Sequence, residues 1–364
     1  MDATEAAIGR MIDQIRSARL RRAPLDIRGG GTKSFYGEQP RGAVLPVKEI
    51  AGIYSYEPSE LVITVRAGTL LEDVEKALAE RRQGLAFEPP RFAPGGTVGG
   101  MIAAGLSGPS RASAGSVRDH VLGVSLVNGR GQYLRFGGQV MKNVAGYDVS
   151  RLMVGSWGIL GVICEVSIKV LPVPGACSTL RFEWEQGRAL EQCARWRGLP
   201  LPLQSTAWHN GNLYVRLAGT SAAVVAAGSV LGGEALAPDD ALVWWRAVRD
   251  HTHPFFAFDA AELARGECLW RMSAPLSCGV VKLPGLQFIE WGGALRWCRT
   301  SAPPAEVRAV STAAGGRAAL IQAADKSAGA FSSVSEPLMR IHRAVKIAFD
   351  PDGILNKGRL YPDL

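Results

Sequence analysis

Apolar residues recur at Ile8, Met11, Ile12 and Ile15 with charged neighbours between them, a helical period that predicts an amphipathic packing helix over Ala3–Arg19, closed before Pro24. Short apolar runs then predict strands at Leu25–Arg28, Ala43–Val47 and Leu61–Arg66. Thr69 and Glu72 have the spacing of a capping box for a helix that turns Leu70, Val74, Ala77 and Leu78 inward and stops at Gly84. Val121–Val127 and Gln132–Phe136 flank Asn128-Gly129-Arg130-Gly131, whose residues tolerate positive φ. That combination predicts a hairpin, and with it a sheet that is at least partly antiparallel. Asp148 is placed to cap a helix running to Val154, and Gly155–Gly158 leads into a long strand, Ile159–Val170.

Pro172 and Pro174 mark a boundary. Beyond it, tryptophan-rich strands (Leu213–Leu217, Cys268–Met272, Gln287–Trp291, Ala294–Arg299) alternate with helical stretches (Ser221–Leu231, Asp239–His251, Ala305–Ala314), the pattern of an α+β unit. Trp244, Trp245, Trp270, Trp291 and Trp297 are expected in its core. A last helix covers Glu336–Phe349. The expected division is 1–174, 175–335 and a C-terminal helix and tail, 336–364.

Glycine punctuates this pattern at two places. Arg28-Gly29-Gly30-Gly31-Thr32-Lys33 follows the first short strand, and Pro94-Gly95-Gly96-Thr97-Val98-Gly99-Gly100 opens a short helix over Met101–Leu106. Both present bare backbone N–H groups, and the second adds the positive end of a helix, so a phosphate or diphosphate suits them. Spacing alone leaves a second explanation open, in which Gly99, Gly100, Ala103, Ala104 and Gly105 only let a helix pack closely on a sheet. Neither loop has the G-x-x-x-x-G-K-[ST] spacing of a P-loop, and strict βαβ alternation around one G-x-G-x-x-G, as a Rossmann unit requires, is absent.

These two loops, together with GSVRDHVLG (115–123) and GSWGILGVICEV (155–166), resemble the vanillyl-alcohol-oxidase/PCMH superfamily of FAD enzymes. MKNVAGYDVSRLMVGSWG (141–158), WGGALRW (291–297) and FDPDGILNKGRLYPDL (349–364) carry the resemblance over nearly the whole chain, to the FAD-binding E-type subunits of bacterial glycolate oxidases. The implied fold is α+β: a PCMH-type FAD-binding unit with an α+β cap of antiparallel sheet and helices, the tail returning to the FAD site. By resemblance, the FAD diphosphate lies against Gly29, Gly30, Gly31, Thr32 and Lys33 and against Pro94, Gly95, Gly96, Thr97, Gly99 and Gly100. Gly115, Ser116 and Asp119 approach the flavin side, while Gly161, Val162 and Ile163 hold the adenine end, with Gly161 admitting a flat ring. Asn356 points an amide at the flavin or substrate, although Lys357 stands where relatives commonly have proline, which loosens the tail. Neither loop holds the histidine through which many relatives attach flavin, so noncovalent FAD is expected.

With 41 basic against 33 acidic residues the net charge is +8, suited to anionic ligands. The basic residues are scattered, which argues against nucleic acid. No apolar run reaches the roughly 18 residues that span a bilayer, and the acidic N-terminus is unlike a signal peptide, so a cytoplasmic protein is expected. The six cysteines have no metal or iron–sulfur spacing and read as reduced thiols. His251-x-His253 lacks companion carboxylates and reads as a surface or capping pair, so no metal site is expected. Arg271 and Arg296 are the candidates for a carboxylate clamp, because a guanidinium offers a bidentate fork; a structural ion pair is the alternative.

The reading that follows is an FAD-binding subunit of a glycolate oxidase complex. It would oxidise a small 2-hydroxy acid, glycolate, to glyoxylate beside a second FAD-containing subunit and an iron–sulfur subunit. Peripheral membrane association through the complex is open on this reading. Two alternatives stand beside it: a binding or assembly subunit without its own catalysis, and a stand-alone FAD oxidase of another small hydroxy acid.

Overall fold

The computed structural model describes residues 3–138 and 147–364. Part of the 141–158 motif therefore lies outside the described residues. The first sheet has five antiparallel strands in the order Ile53–Glu57, Val62–Arg66, Val162–Lys169, Val121–Val127, Tyr133–Gly137. Helices Leu71–Ala79 and Val98–Ala104 cover one face through Leu71, Val74, Leu78, Val98, Met101 and Ile102, all buried with the sheet residues Ile63, Val65, Ile163 and Val166. Alternation along Val162–Lys169 is shifted by a bulge at Cys164, where Ser125 pairs with Glu165 and Leu126 with Ile163. Val162 and Cys164 accordingly join a second cluster, in which the N-terminal helix buries Met11 and Ile15 against Leu25, Leu45 and Leu355. That helix runs Ala3–Arg21, and the parallel pair Leu25–Arg28 with Ala43–Pro46 lies beside it.

The second sheet is antiparallel throughout and has eight strands: Glu234–Ala235, Ala176–Glu183, Asn212–Gly219, Leu203–His209, Leu286–Glu290, Leu295–Thr300, Cys268–Ser273 and Arg317–Gln322. One face buries Trp270, Met272, Cys298 and Leu320 with Val307 of helix Pro304–Ala313. The other turns Leu269, Phe288, Trp291 and Trp297 toward Tyr36, Ala104 and Trp157 of the first half of the chain. Trp245, Trp270, Trp291 and Trp297 are buried as expected, while Trp244 is half-buried and stacks on Tyr214 at 4.0 Å. The expected α+β class, with antiparallel sheet and helices in the second half, is what forms.

The hairpin, the Asp148 cap, the helix Ser221–Leu231 and the last helix Glu336–Phe349 fall where the pattern places them. The capping box at Thr69 and Glu72 does not form. The Thr69 hydroxyl instead accepts from Gly52 N at 2.8 Å and donates to Arg66 O at 2.7 Å, and Leu70 begins the helix with no side-chain cap. That helix ends at Ala79, ahead of a turn in which Arg82 takes φ 53, rather than at Gly84, which pairs with Leu171. The long strand starts at Val162, because Trp157 (φ 53) and Gly158 (φ 75) bend the chain before it.

Candidate functional site

Between the N-terminal parallel pair, the helix Val98–Ala104 and the returning tail lies a cleft open to solvent, about 800 Å³ of space including its open mouth. Gly29, Gly30, Gly31, Thr32 and Lys33 form its rim. Among the described residues none of their five backbone N–H groups has a hydrogen-bond acceptor, so the loop is a row of free donors of the kind that cradles an anion. Gly31 requires its glycine for φ 71. A Cβ on Gly30 would sit 1.8 Å from Gly95 O, and one on Gly29 2.4 Å from Thr97 Oγ1, so the two glycine loops touch each other.

Thr97 caps the helix Val98–Ala104 by accepting from Gly100 N at 3.2 Å, and Thr97, Gly99 and Gly100 all line the cleft. A Cβ on Gly99 would lie 2.7 Å from Ala67 Cβ, so the tight packing on the sheet is realised at a residue that also faces the cleft. Pro94, Gly95 and Gly96 open onto an adjoining hollow shared with Arg91, Phe92 and Asp250.

Gly161 and Ile163 line the cleft, whereas Val162 between them faces the opposite way and is fully buried beside Cys164 and Leu355; period-two alternation removes it from the site. The room above Gly161 is also limited by protein, since a Cβ there would lie 3.0 Å from Leu126 Cδ1. Gly115, Ser116 and Asp119 are outside the cleft. Ser116 N and Oγ donate to Asp119 Oδ2 at 2.7 and 2.8 Å, a reciprocal cap that holds the Asp119 carboxyl below its ordinary range. Ser116 borders a second cavity, together with Arg271.

The tail folds back onto the cleft wall. Asn356 Oδ1 accepts from Ile27 N at 2.7 Å and its Nδ2 donates to Trp157 O at 2.6 Å, joining three distant segments at the cleft wall. Sequence reasoning missed Trp157 and Arg359, both of which line the cleft. The Arg359 guanidinium lies 5.3 Å from the Trp157 ring centre and donates to the carbonyls of Lys33, Ser34 and Glu38, clamping the glycine loop from outside; burial brings its pKa down to about 10. Its position three residues after Asn356 in the NKGR segment was the available signal. Burial also lowers the Lys33 ammonium to about 8.

The two clamp candidates part company. Arg271 pairs across strands with Trp297 on the face turned toward the first half of the chain, and Arg296 pairs with Met272 on the opposite face. Arg296 is fully buried and donates to Gly293 O at 3.1 Å, to Cys278 Sγ and to Gly279 O, so it is a structural residue and not part of a clamp. His251 caps helix Pro238–Asp250 in a left-handed conformation and stacks on Phe256 at 4.3 Å; burial takes its pKa down to about 3. His253 also caps, accepting from Phe255 N, so both residues take the capping role expected of one or the other. Among the described residues no group of histidine, cysteine and carboxylate side chains is arranged to hold a metal. The cysteines are free thiols, four of them buried. No helix among the described residues is long and apolar enough to cross a membrane.

A family described as FAD binding domain matches residues 7–137. The chain is 43% identical over 354 residues to the glycolate oxidase subunit GlcE of Escherichia coli K12, covering 97% of each protein. It is 35% identical over 174 residues to the glycolate oxidase subunit GlcD of Bacillus subtilis, 47% of this chain and 37% of that one. It is 32% identical over 164 residues to a D-lactate dehydrogenase of Anaerostipes hadrus, 45% of this chain and 33% of the other. In fold it resembles alkyldihydroxyacetonephosphate synthase, with a TM-score of 0.65 at 15% identity over 95% of this chain and 73% of that one.

Proposed function

The chain belongs to the glycolate oxidase GlcE family of FAD-dependent hydroxy-acid oxidoreductases, and we propose that it binds FAD noncovalently in the Gly29–Lys33 cleft as one subunit of a complex that oxidises glycolate to glyoxylate. The observation that carries this reading is the row of unpaired N–H groups from Gly29 to Lys33, backed by the Thr97-capped helix. Backbone donors offset the charge of a diphosphate without the entropy of ordering long side chains. Lys33 and Arg359 add positive charge at the same rim, Trp157 and Gly161 wall the cleft, and Asn356 holds the two sides of that wall together. Bound FAD supplies the two-electron acceptor chemistry; the chain's own residues position it and exclude water. Among the described residues no histidine or cysteine lines the cleft, which supports noncovalent attachment.

On this reading 1–174 is the FAD-binding unit, 175–335 the cap and 336–364 the segment that closes the site. The partners are a second FAD-containing subunit and an iron–sulfur subunit, and the complex is cytoplasmic. The absence of metal-ligand clusters among the described residues favours electrons leaving through a partner, so the isolated chain is expected to oxidise glycolate slowly or not at all with a dye acceptor and to gain turnover when the partner subunits are added. Two measurements test this. Acid precipitation of the purified chain should leave a yellow supernatant and a colourless pellet, and flavin retained by the pellet sinks the noncovalent assignment. Robust dye-linked turnover by the isolated chain, near the roughly 10 s⁻¹ median of enzymes, sinks the dependence on partners and favours a stand-alone oxidase.

A further inference from the structure

The cavity bordered by Ser116 measures about 960 Å³ and opens to solvent between the two sheets. Its walls come from both halves of the chain: Gly105, Arg111 and Gly155 on one side, Arg271, Ser273 and Trp291 on the other. Trp291 organises it. The indole N–H donates to Gly108 O at 3.0 Å, which fixes the ring. The Arg111 guanidinium lies 4.6 Å and that of Arg271 5.4 Å from the centre of that ring, and Arg271 is also 5.9 Å from Trp297.

Stacking on tryptophan orients a guanidinium while leaving its N–H edge free. Among the described residues neither Arg111 nor Arg271 has a side-chain hydrogen bond or ion pair, in contrast to Arg118 on the same cavity, which donates to Val154 O at 2.9 Å. Two acids act on the pair but neither is hydrogen-bonded to it: Asp119, beside Arg111, accepts from Ser116 N and Oγ, and Glu290, beside Arg271, accepts from Trp297 Nε1. Desolvation and, after it, the charge of Arg271 lower the pKa of Arg111, so the two cations face the same space and repel each other there. Arg111 is exposed and Arg271 half-buried, so their unengaged N–H edges are open to a ligand from solvent, and the planar forks match a carboxylate.

The location adds a second argument. Gly105 and Gly155 line this cavity and Ala104 and Trp157 the flavin cleft, and the segments are tied by Gly155 N to Ile102 O at 3.0 Å and Trp157 N to Ala103 O at 2.9 Å. The cationic cavity and the cleft are thus neighbours across one thin wall of backbone.

We propose that Arg111 and Arg271, oriented by Trp291, form the binding site for the carboxylate of a small 2-hydroxy acid or its 2-oxo product. The inference rests on the flavin reading above and names the residues that select the acid. Arg111 lies outside the pair of arginines expected from the sequence, and it takes the place there assigned to Arg296.

The test uses the full chain loaded with FAD and oxalate as the titrated probe, since it presents carboxylates but no oxidisable hydroxyl. Isothermal titration should detect oxalate binding, and Arg111→Gln and Arg271→Gln should each weaken it about tenfold or more, the scale of a lost hydrogen bond to a charged group. The flavin absorbance per chain should stay unchanged, and Arg271→Lys should fall between parent and glutamine variant. Unaltered oxalate affinity in both glutamine variants overturns the proposal, as does a flavin-loaded parent that binds no oxalate. Inorganic phosphate bound as tightly as oxalate, and lost with the same residues, overturns the carboxylate assignment. Flavin lost from either glutamine variant places that arginine in the flavin site and also overturns it. A colourless parent chain would sink the flavin reading alone, because oxalate titration of that chain still decides the role of the arginine pair.

Discussion

Asn356 offers the sharpest test of how the tail builds the site. It is buried, takes a left-handed φ of 41°, and its amide makes two opposed hydrogen bonds, accepting from Ile27 N at 2.7 Å and donating to Trp157 O at 2.6 Å. Leaving a buried donor or acceptor without its partner costs about 1–3 kcal/mol each. Asn356→Ala orphans both and is expected to lose about 2–6 kcal/mol of stability on that count, with roughly 1–2 kcal/mol more because an ordinary side chain is disfavoured in the left-handed region. Asn356→Asp is the more discriminating change. It keeps the acceptor for Ile27 N, retains the local preference for this backbone, and turns a carboxylate oxygen on Trp157 O. Such a carboxyl has its folded pKa raised above the roughly 3.9 of a free Asp. The variant is therefore most stable at acid pH, where the neutral group can donate, and loses ground relative to the parent as pH rises through the folded pKa. Urea denaturation of the FAD-free and FAD-loaded proteins at several pH values measures the stability difference, and fluorescence titration measures flavin affinity. An Asp variant within about 0.5 kcal/mol of the parent at neutral pH, the range of an inconsequential surface change, with unchanged flavin affinity, would refute the wall that Asn356 is held to form.

Gly30→Val puts a side chain where a Cβ already meets Gly95 O at 1.8 Å, so it should empty the flavin site and destabilise the fold by about 1–3 kcal/mol, the usual range for overpacking; stoichiometric flavin absorbance in the purified variant would count against the contact between the two loops. Glu290, whose carboxyl is pushed up to about 7 chiefly by burial and accepts from Trp297 Nε1 at 2.8 Å, is protonated in the folded chain over a range where the unfolded chain is ionised. The stability it contributes is full below about 4.5 and lost as pH rises through about 7. Glu290→Gln keeps an acceptor for Trp297 and should therefore match the parent near pH 5 and exceed it near pH 8, with equal pH slopes for the two proteins as the contrary result.

The sequence by itself determined most of the local structure, and with it the family. Periodicity placed the N-terminal and C-terminal helices within two residues of their ends, because an amphipathic face and a proline or a cap are local signals. The two glycine loops were legible for a similar reason, since free backbone donors and close approach need glycine wherever the loop folds. Local reasoning missed the strands Ile53–Glu57, Ala176–Glu183, Leu203–His209 and Arg317–Gln322, which are partly exposed or polar and are held as strands by their neighbours in the sheet. The tertiary structure alone decided three matters at the site. It diverted the Thr69 hydroxyl to Gly52, a residue seventeen positions away that competes with the helix for the same oxygen. It brought Asn356 and Arg359 onto a loop more than three hundred residues upstream, a contact that no local pattern encodes. And it set the cross-strand register that pairs Arg271 with Trp297 and Arg296 with Met272. Side chains alternate at a period of two, so that register sends one arginine to the shared cavity and seals the other behind the sheet.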